Sequence, residues 1–177
     1  MISSSVARVF ASRASSAIKT SRTLAVPTAA TGRRFISIRP IYTAEATATG
    51  GRNGRAVSSD NVLDVQLTLP KALGGPGDAG KTNPEQLFAA GYSACFQGAM
   101  GLAAKNLNVA LPETNTVTGI VHIGKDSAGG LGLSVELRIN APGLDKETTQ
   151  KVVDLAHTIC PYSRATKGNI DVKLSVV

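Results

Sequence analysis

Acidic residues are missing from the first 44 positions of this sequence, which carry seven basic ones: Arg8, Arg13, Lys19, Arg22, Arg33, Arg34 and Arg39. That asymmetry accounts for the whole formal net charge of +7, because the rest of the chain holds twelve basic residues against twelve acidic ones. Aromatic residues make up only 4% of the chain, and no Lys/Arg cluster is interleaved with them. A neutral body of that kind argues against nucleic acid as a partner. Cysteine occurs twice in 177 residues, too rarely for the disulfide scaffold of a small secreted domain. The two histidines, His122 and His157, have no third ligand at metal spacing and read as packed or surface residues, so no metal is expected. No run approaches the roughly 18 to 20 apolar residues of a membrane-spanning helix, and no membrane partner is expected. A continuous apolar core of about 7 to 15 residues, the mark of a secretory signal, is also missing.

What the first 40 residues do contain is Arg, Ser and Ala, with Val6, Phe10, Ala14, Ala17 and Ile18 at helical spacing. This is the composition of a mitochondrial presequence, which places the protein in the matrix. Arg34 and Phe35 fit matrix processing, so the mature chain is expected to begin near Ile36. Residues 1–40 are thus read as a targeting segment and 41–177 as one domain. With 42% apolar residues overall, the chain has enough for a sizeable core.

After the leader, Tyr42 to Thr49 and the alternating Leu63, Val65, Leu67 and Leu69 predict strands, with GGRNGR as the turn between. A Gly/Pro loop, 74–80, precedes a long helix running to about Leu107. Thr82 and Asn83 are both capping types, Pro84 suits the first turn, and Thr82-x-x-Glu85 is a capping-box pattern. Its apolar stripe is expected to hold Phe88, Cys95, Ala99, Leu102 and Ala103. Phe96 and Met100 line either this core or an apolar channel, and Leu102 is assigned to the core. Two alternating runs, 117–123 and 131–139, flank a Gly turn and predict a hairpin. Asp145 caps a second helix, Lys146 to Ile159, which Pro161 stops, and 170–176 makes a closing strand. The fold class is α+β.

Gly75 to Thr82 matches G-x-x-x-x-G-K-T, a phosphate-loop pattern. Its context is wrong for nucleotide binding. A phosphate loop joins a doubly buried strand directly to a helix, whereas here Lys71 to Gly74 intervene and the strand alternates polar and apolar residues. The only candidate magnesium ligand, Asp171, begins an alternating strand. The loop reads as an ordinary connection before a capped helix.

The two cysteines lie on separate helices, each on the expected packed face. Cys95 sits about ten residues into its helix, too deep for the end dipole, and needs a side-chain cation to become a thiolate. Cys160 ends the second helix, where the dipole favours a resolving rather than an attacking role. The same two residues are equally well read as small buried hydrophobes.

The stretches TATGGRNGRAVSSDNVLDVQL, LGGPGDAGKTNPEQLFAAGYSACF, HIGKDSAGGLGLSVELRI and AHTICPYSRATKGNIDV resemble the Ohr branch of the Ohr/OsmC family, thiol-dependent organic hydroperoxide reductases, over residues 42–177. The resemblance implies antiparallel sheets packed on two core helices in an intertwined homodimer with active sites at the subunit interface. It makes Cys95 the peroxidatic cysteine and Cys160 the resolving one, with Arg52 and Glu85 as the ion pair that activates Cys95. It implies no bound cofactor, an organic hydroperoxide substrate, and recycling by an external dithiol, dihydrolipoamide or the lipoylated proteins of 2-oxoacid dehydrogenase complexes. A general OsmC-type peroxidase or redox sensor is the alternative. The chain departs from the family in Lys81 before TNPEQ, in Arg164 where Asn often follows CPYS, and in the leader. Glu85 and Cys95 stand roughly 15 Å apart on a straight helix. Either that helix begins later than its caps suggest, or the ion pair reaches the thiol from another subunit. Glu85 also remains readable as a capping carboxylate. Pro161 and Tyr162 are expected to shape the turn that presents Cys160, with Tyr162 as a pocket wall.

Overall fold

The computed structural model describes residues 37–177, and Tyr42–Val177 form one unit. The import helix and most of the presequence lie outside the described residues. Among the described residues, two three-stranded sheets and three helices follow one another along the chain.

The first sheet is β1 (Ala46–Thr49), β2 (Arg55–Ser58) and β3 (Asp64–Gln66), all antiparallel in that order. The first predicted strand starts four residues late, at Ala46, and the second is cut to three residues. Beyond it, Leu67 makes an isolated parallel bridge to Thr82, and this is where burial begins, at Leu67 and Thr68. No residue of β1, β2 or β3 is buried.

The loop after Leu67 uses its own amides. Gly74, Gly75 and Gly77 donate to carbonyls of Lys71, Pro70 and Leu69, and Asp78 donates to Thr68 Oγ1. Lys81 pairs with Asp78 at 2.8 Å. Backbone amides engaged in this way do not converge on an anion, which is what a phosphate loop requires.

Helix α1 (Pro84–Asn106) opens on Asn83, whose side chain accepts from the Gln86 amide at 2.9 Å. The cap is therefore Asn83 with Gln86, not Thr82 with Glu85. Thr82 instead donates its hydroxyl to the Gln86 side chain, and Glu85 is left free for another partner. By length and composition α1 would suffice to cross a membrane. Here it is the core helix, with Tyr92, Phe96, Ala99, Met100, Ala103 and Ala104 buried against strand β4 and helix α2. Leu102, expected in the core, is 52% exposed, whereas Phe96 and Met100 are fully buried.

The second sheet begins with the predicted hairpin, β4 (Thr116–Lys125) and β5 (Leu131–Asn140), paired antiparallel over ten residues each. Helix α2 (Lys146–Ile159) is capped by Asp145, which accepts from Thr148 N, and packs Val152, Val153 and Ala156 inward. Pro161 does not merely stop α2. It starts a six-residue helix, α3 (Pro161–Thr166), for which proline's fixed φ and missing N–H are well suited. The chain then returns as β6 (Val172–Val176), parallel to β5, because a crossover through α2 and α3 brings it back to the end where β5 began.

Gly119 lets α1 lie close on this sheet: a Cβ there would come within 2.7 Å of the Ala89 carbonyl oxygen. Gly119→Val is expected to destabilise the protein by about 1–3 kcal/mol through overpacking, seen as a lower denaturation midpoint at unchanged m-value.

Candidate active site

Helix α1 carries Cys95 between the buried Tyr92 and Phe96, and the corner between α2 and α3 carries Cys160. The corner is held by the Cys160 N–H donating to Ala156 O at 2.8 Å and by Cys160 O accepting from Arg164 N at 3.0 Å. Cys160 is fully buried and Cys95 half-buried, and their sulfurs are 3.7 Å apart. A disulfide bond is about 2.04 Å long, so small side-chain rotations join them. Residues 65 positions apart thus become neighbours, as the thiol reading requires.

Burial pushes the Cys95 thiol above the ordinary cysteine range. The Tyr162 backbone N–H pulls it back, and the adjacent Cys160 adds a further upward push. Among the described residues, no cation is one of the groups acting on Cys95.

Arg52, the cation expected for that role, is engaged with Glu85. Arg52 lies in a tight turn between β1 and β2, entered through Gly50 and Gly51 at φ of 74° and 58°. It forks two donors onto Glu85, at 2.7 and 2.9 Å. The guanidinium holds the Glu85 carboxyl below the usual carboxylate range, and Glu85, whose side chain is only 12% exposed, raises Arg52 in return. A forked pair of this kind fixes the plane of the guanidinium while leaving its other donors free. The two residues border a cleft of about 390 Å³ whose other walls are Pro84, Phe88, Ile123, Leu131, Gly132 and Leu133.

Glu85, Phe88, Tyr92 and Cys95 follow one face of α1 at spacings of three and four residues. Tyr162 bridges this face. Its ring stacks on Tyr92 at 5.5 Å and approaches Phe88 at 6.0 Å, and Gly91 makes room for it, since a Cβ there would lie 3.1 Å from the hydroxyl. Tyr162 thus packs along this face of α1 against Phe88 and Tyr92, and it is not among the residues that line the cleft. Since α1 does begin at Pro84, a later helix start does not close the roughly 15 Å between Glu85 and Cys95. The structure brings the four predicted residues together as two pairs, Cys95 with Cys160 and Arg52 with Glu85. His157, expected to be packed or at the surface, is part-buried, with its Nδ1 3.0 Å from Ser163 Oγ in the helix after Cys160. Among the described residues no group of His, Cys, Asp or Glu is arranged to hold a metal ion.

Comparison with known proteins adds an independent line. Residues 75–175 match the OsmC-like protein family. An organic hydroperoxide resistance protein of Xanthomonas axonopodis pv. citri is 57% identical over 136 residues, 77% of this chain and 94% of the relative. The crystal structure of the organic hydroperoxide resistance protein OhrB of Bacillus subtilis is similar with a TM-score of 0.71 at 47% identity, covering 78% of this chain and all of that one. An organic hydroperoxide resistance protein from Elizabethkingia anophelis gives a TM-score of 0.72 at 50% identity, over 78% of this chain and 98% of that structure. The α+β fold with two thiols in contact and the extent of these matches lead to one assignment: this chain belongs to the Ohr/OsmC family.

Proposed function

We infer that the protein is a thiol-dependent peroxidase that reduces organic hydroperoxides, fatty-acid hydroperoxides among them, to alcohols. The observation that carries this reading is the 3.7 Å contact between Cys95 and a fully buried Cys160, on the face of α1 that also leads to an apolar cleft and a forked Arg–Glu pair. The Cys95 thiolate attacks the distal peroxide oxygen, the O–O bond breaks, and the departing alkoxide takes a proton and leaves as the alcohol. Cys95 is then a sulfenic acid. Cys160 condenses with it, giving a disulfide and water before a second peroxide can react. An external dithiol reduces the disulfide, and dihydrolipoyl groups of the 2-oxoacid dehydrogenase complexes suit the role in a mitochondrial matrix protein.

Cys95 requires a positive charge that its own chain does not deliver, and two observations support its coming from a second copy. The β1–β3 sheet has no buried residue, and a sheet this small needs a covered face. Arg52 stands on a turn of that same sheet. In a homodimer whose partner covers the sheet, the Arg52–Glu85 pair of one copy faces Cys95 of the other.

Cys160→Ser separates the two half-reactions. One equivalent of hydroperoxide is expected to be consumed at the wild-type rate, while turnover with lipoamide falls to a small residue and a monothiol supports slow recycling. Stopped assays of peroxide consumption with each reductant check this. Undiminished lipoamide turnover in Cys160→Ser would remove the resolving role.

A further inference from the structure

A buried polar cluster beside the thiols takes no part in the chemistry above. Tyr92, fully buried, donates its hydroxyl to Ser163 Oγ at 2.9 Å, with Thr166 Oγ1 3.4 Å away. Ser163 is 1% exposed, and its Oγ lies 3.0 Å from His157 Nδ1. Burial, then the charge of Lys167, hold the His157 ring below the ordinary histidine range, against an opposite pull from Asp154. A neutral ring protonated on Nε2 leaves Nδ1 as an acceptor. With the ring in that tautomer the bonds run in one direction, from the Tyr92 hydroxyl to Ser163 and from the Ser163 hydroxyl to His157.

The placement of these three residues is the informative part. Tyr92 lies three residues before Cys95 on α1, Ser163 three after Cys160, and His157 three before it. Residues three apart on a helix share a face. The Tyr92–Ser163 bond thus runs beside the 3.7 Å sulfur contact, one helical turn away, and ties together the same two pieces of chain. The His157–Ser163 bond spans the Cys160 corner, joining the last turn of α2 to the first turn of α3. At that corner Cys160 has φ −61° and ψ 123°, so its direction depends on how α3 is held against α2.

Resting on the peroxidase reading, we propose that Tyr92, Ser163 and His157 are positioning residues for the resolving step. They keep Cys160 within reach of Cys95 once the sulfur contact has been altered by oxidation, and so set the balance between disulfide formation and over-oxidation. In resolution the S–O bond of the Cys95 sulfenic acid breaks as the S–S bond forms, and the hydroxyl leaves as water with the Cys160 proton. In the competing path a second hydroperoxide molecule transfers oxygen to the sulfenic acid, giving sulfinic acid and alcohol. Only the first path needs the corner in place.

Tyr92→Phe and Ser163→Ala each delete one hydroxyl and preserve the packing, and both are tested in the full chain. After oxidation by tert-butyl hydroperoxide, dimedone trapping and mass spectrometry resolve the sulfenic, disulfide and sulfinic forms of Cys95. First oxidation is expected at the wild-type rate, disulfide formation slower by about tenfold, the loss typical of one buried hydrogen bond, and sulfinic acid at peroxide levels that leave the wild type unmodified. A second arm needs no peroxidase activity: equilibration with a glutathione redox buffer reads the effective concentration of one thiol at the other, expected to fall about tenfold in the variants. A wild type that consumes no hydroperoxide defeats the function inferred above and leaves this second arm to judge the tie. Wild-type disulfide formation with an unchanged glutathione equilibrium overturns the proposal. Equal slowing of both steps also overturns it, because that marks general loosening of α1 rather than positioning of Cys160.

Discussion

Cys95→Ser is expected to abolish hydroperoxide turnover with lipoamide and with a monothiol alike, by about three orders of magnitude or more, because a serine hydroxyl is not an anion at neutral pH and has no base beside it. The loss lies in the first chemical step, so no choice of reductant restores it. Cys160 does not substitute: it is fully buried, whereas Cys95 keeps partial access to solvent. The contrast with Cys160→Ser, which retains one round of peroxide reduction, makes the pair diagnostic. Measurement of peroxide loss under both reductants checks it, and substantial turnover by Cys95→Ser would assign the chemistry to another group.

Removing Arg52 should be nearly as severe. Arg52→Ala leaves Glu85 as a nearly buried carboxylate without its partner and deprives Cys95 of the only cation assigned to it. A loss of two to three orders of magnitude, of order 10²–10³, is expected in the rate of peroxide reduction. If the pair acts across the subunit boundary, two inactive proteins repair each other. A mixed dimer of Cys95→Ser and Arg52→Ala has one site with both mutations and one site with neither. Random reassortment should then restore about a quarter of wild-type activity, since about half the dimers are mixed and each has one working site. Activation within one chain predicts no restoration, because every site then lacks one of the two groups.

The sequence carried the helices and the hairpin well, since α1, α2, β4 and β5 have strong punctuation: Asn83-Pro84, Asp145, Pro161 and the glycines near 129. It carries α3 poorly, because a proline after an amphipathic helix signals a stop, whereas Pro161 also begins the next helix. Thr82 and Asn83 are both capping types, followed three positions later by Glu85 and Gln86 respectively, so sequence alone does not choose between them, and the fold uses Asn83 with Gln86. Leu102 was misplaced for a different reason. The second half of α1 is dominated by Ala and Gly, so apolarity is spread around the helix and does not mark which side the sheet and α2 cover. Strand direction has no signature in alternation, and β6 proved parallel to β5 only through the crossover.

At the site, spacing alone left Cys95 and Cys160 divided between thiol chemistry and burial, and family resemblance supplied the assignment to Arg52 and Glu85. The fold adds that the thiols touch and that the guanidinium is braced by two bonds to Glu85. The Tyr92–Ser163–His157 cluster, with Tyr92 and Ser163 buried and His157 part-buried, had one sequence signal, the spacing of His157 and Ser163 three residues either side of Cys160. That spacing means little until α3 turns Ser163 back toward α2.

The account turns on the charge state of one sulfur, and the pH dependence of Cys95 alkylation measures it directly. In Cys160→Ser protein, where Cys95 is the remaining thiol, alkylation followed from acid to alkaline pH gives its pKa in the native assembly. A value below about 7, well under the ordinary 8.5 of a free cysteine, rising when Arg52 is replaced by Ala, is the predicted result. A value at or above 8.5 that Arg52→Ala leaves unmoved would contradict it.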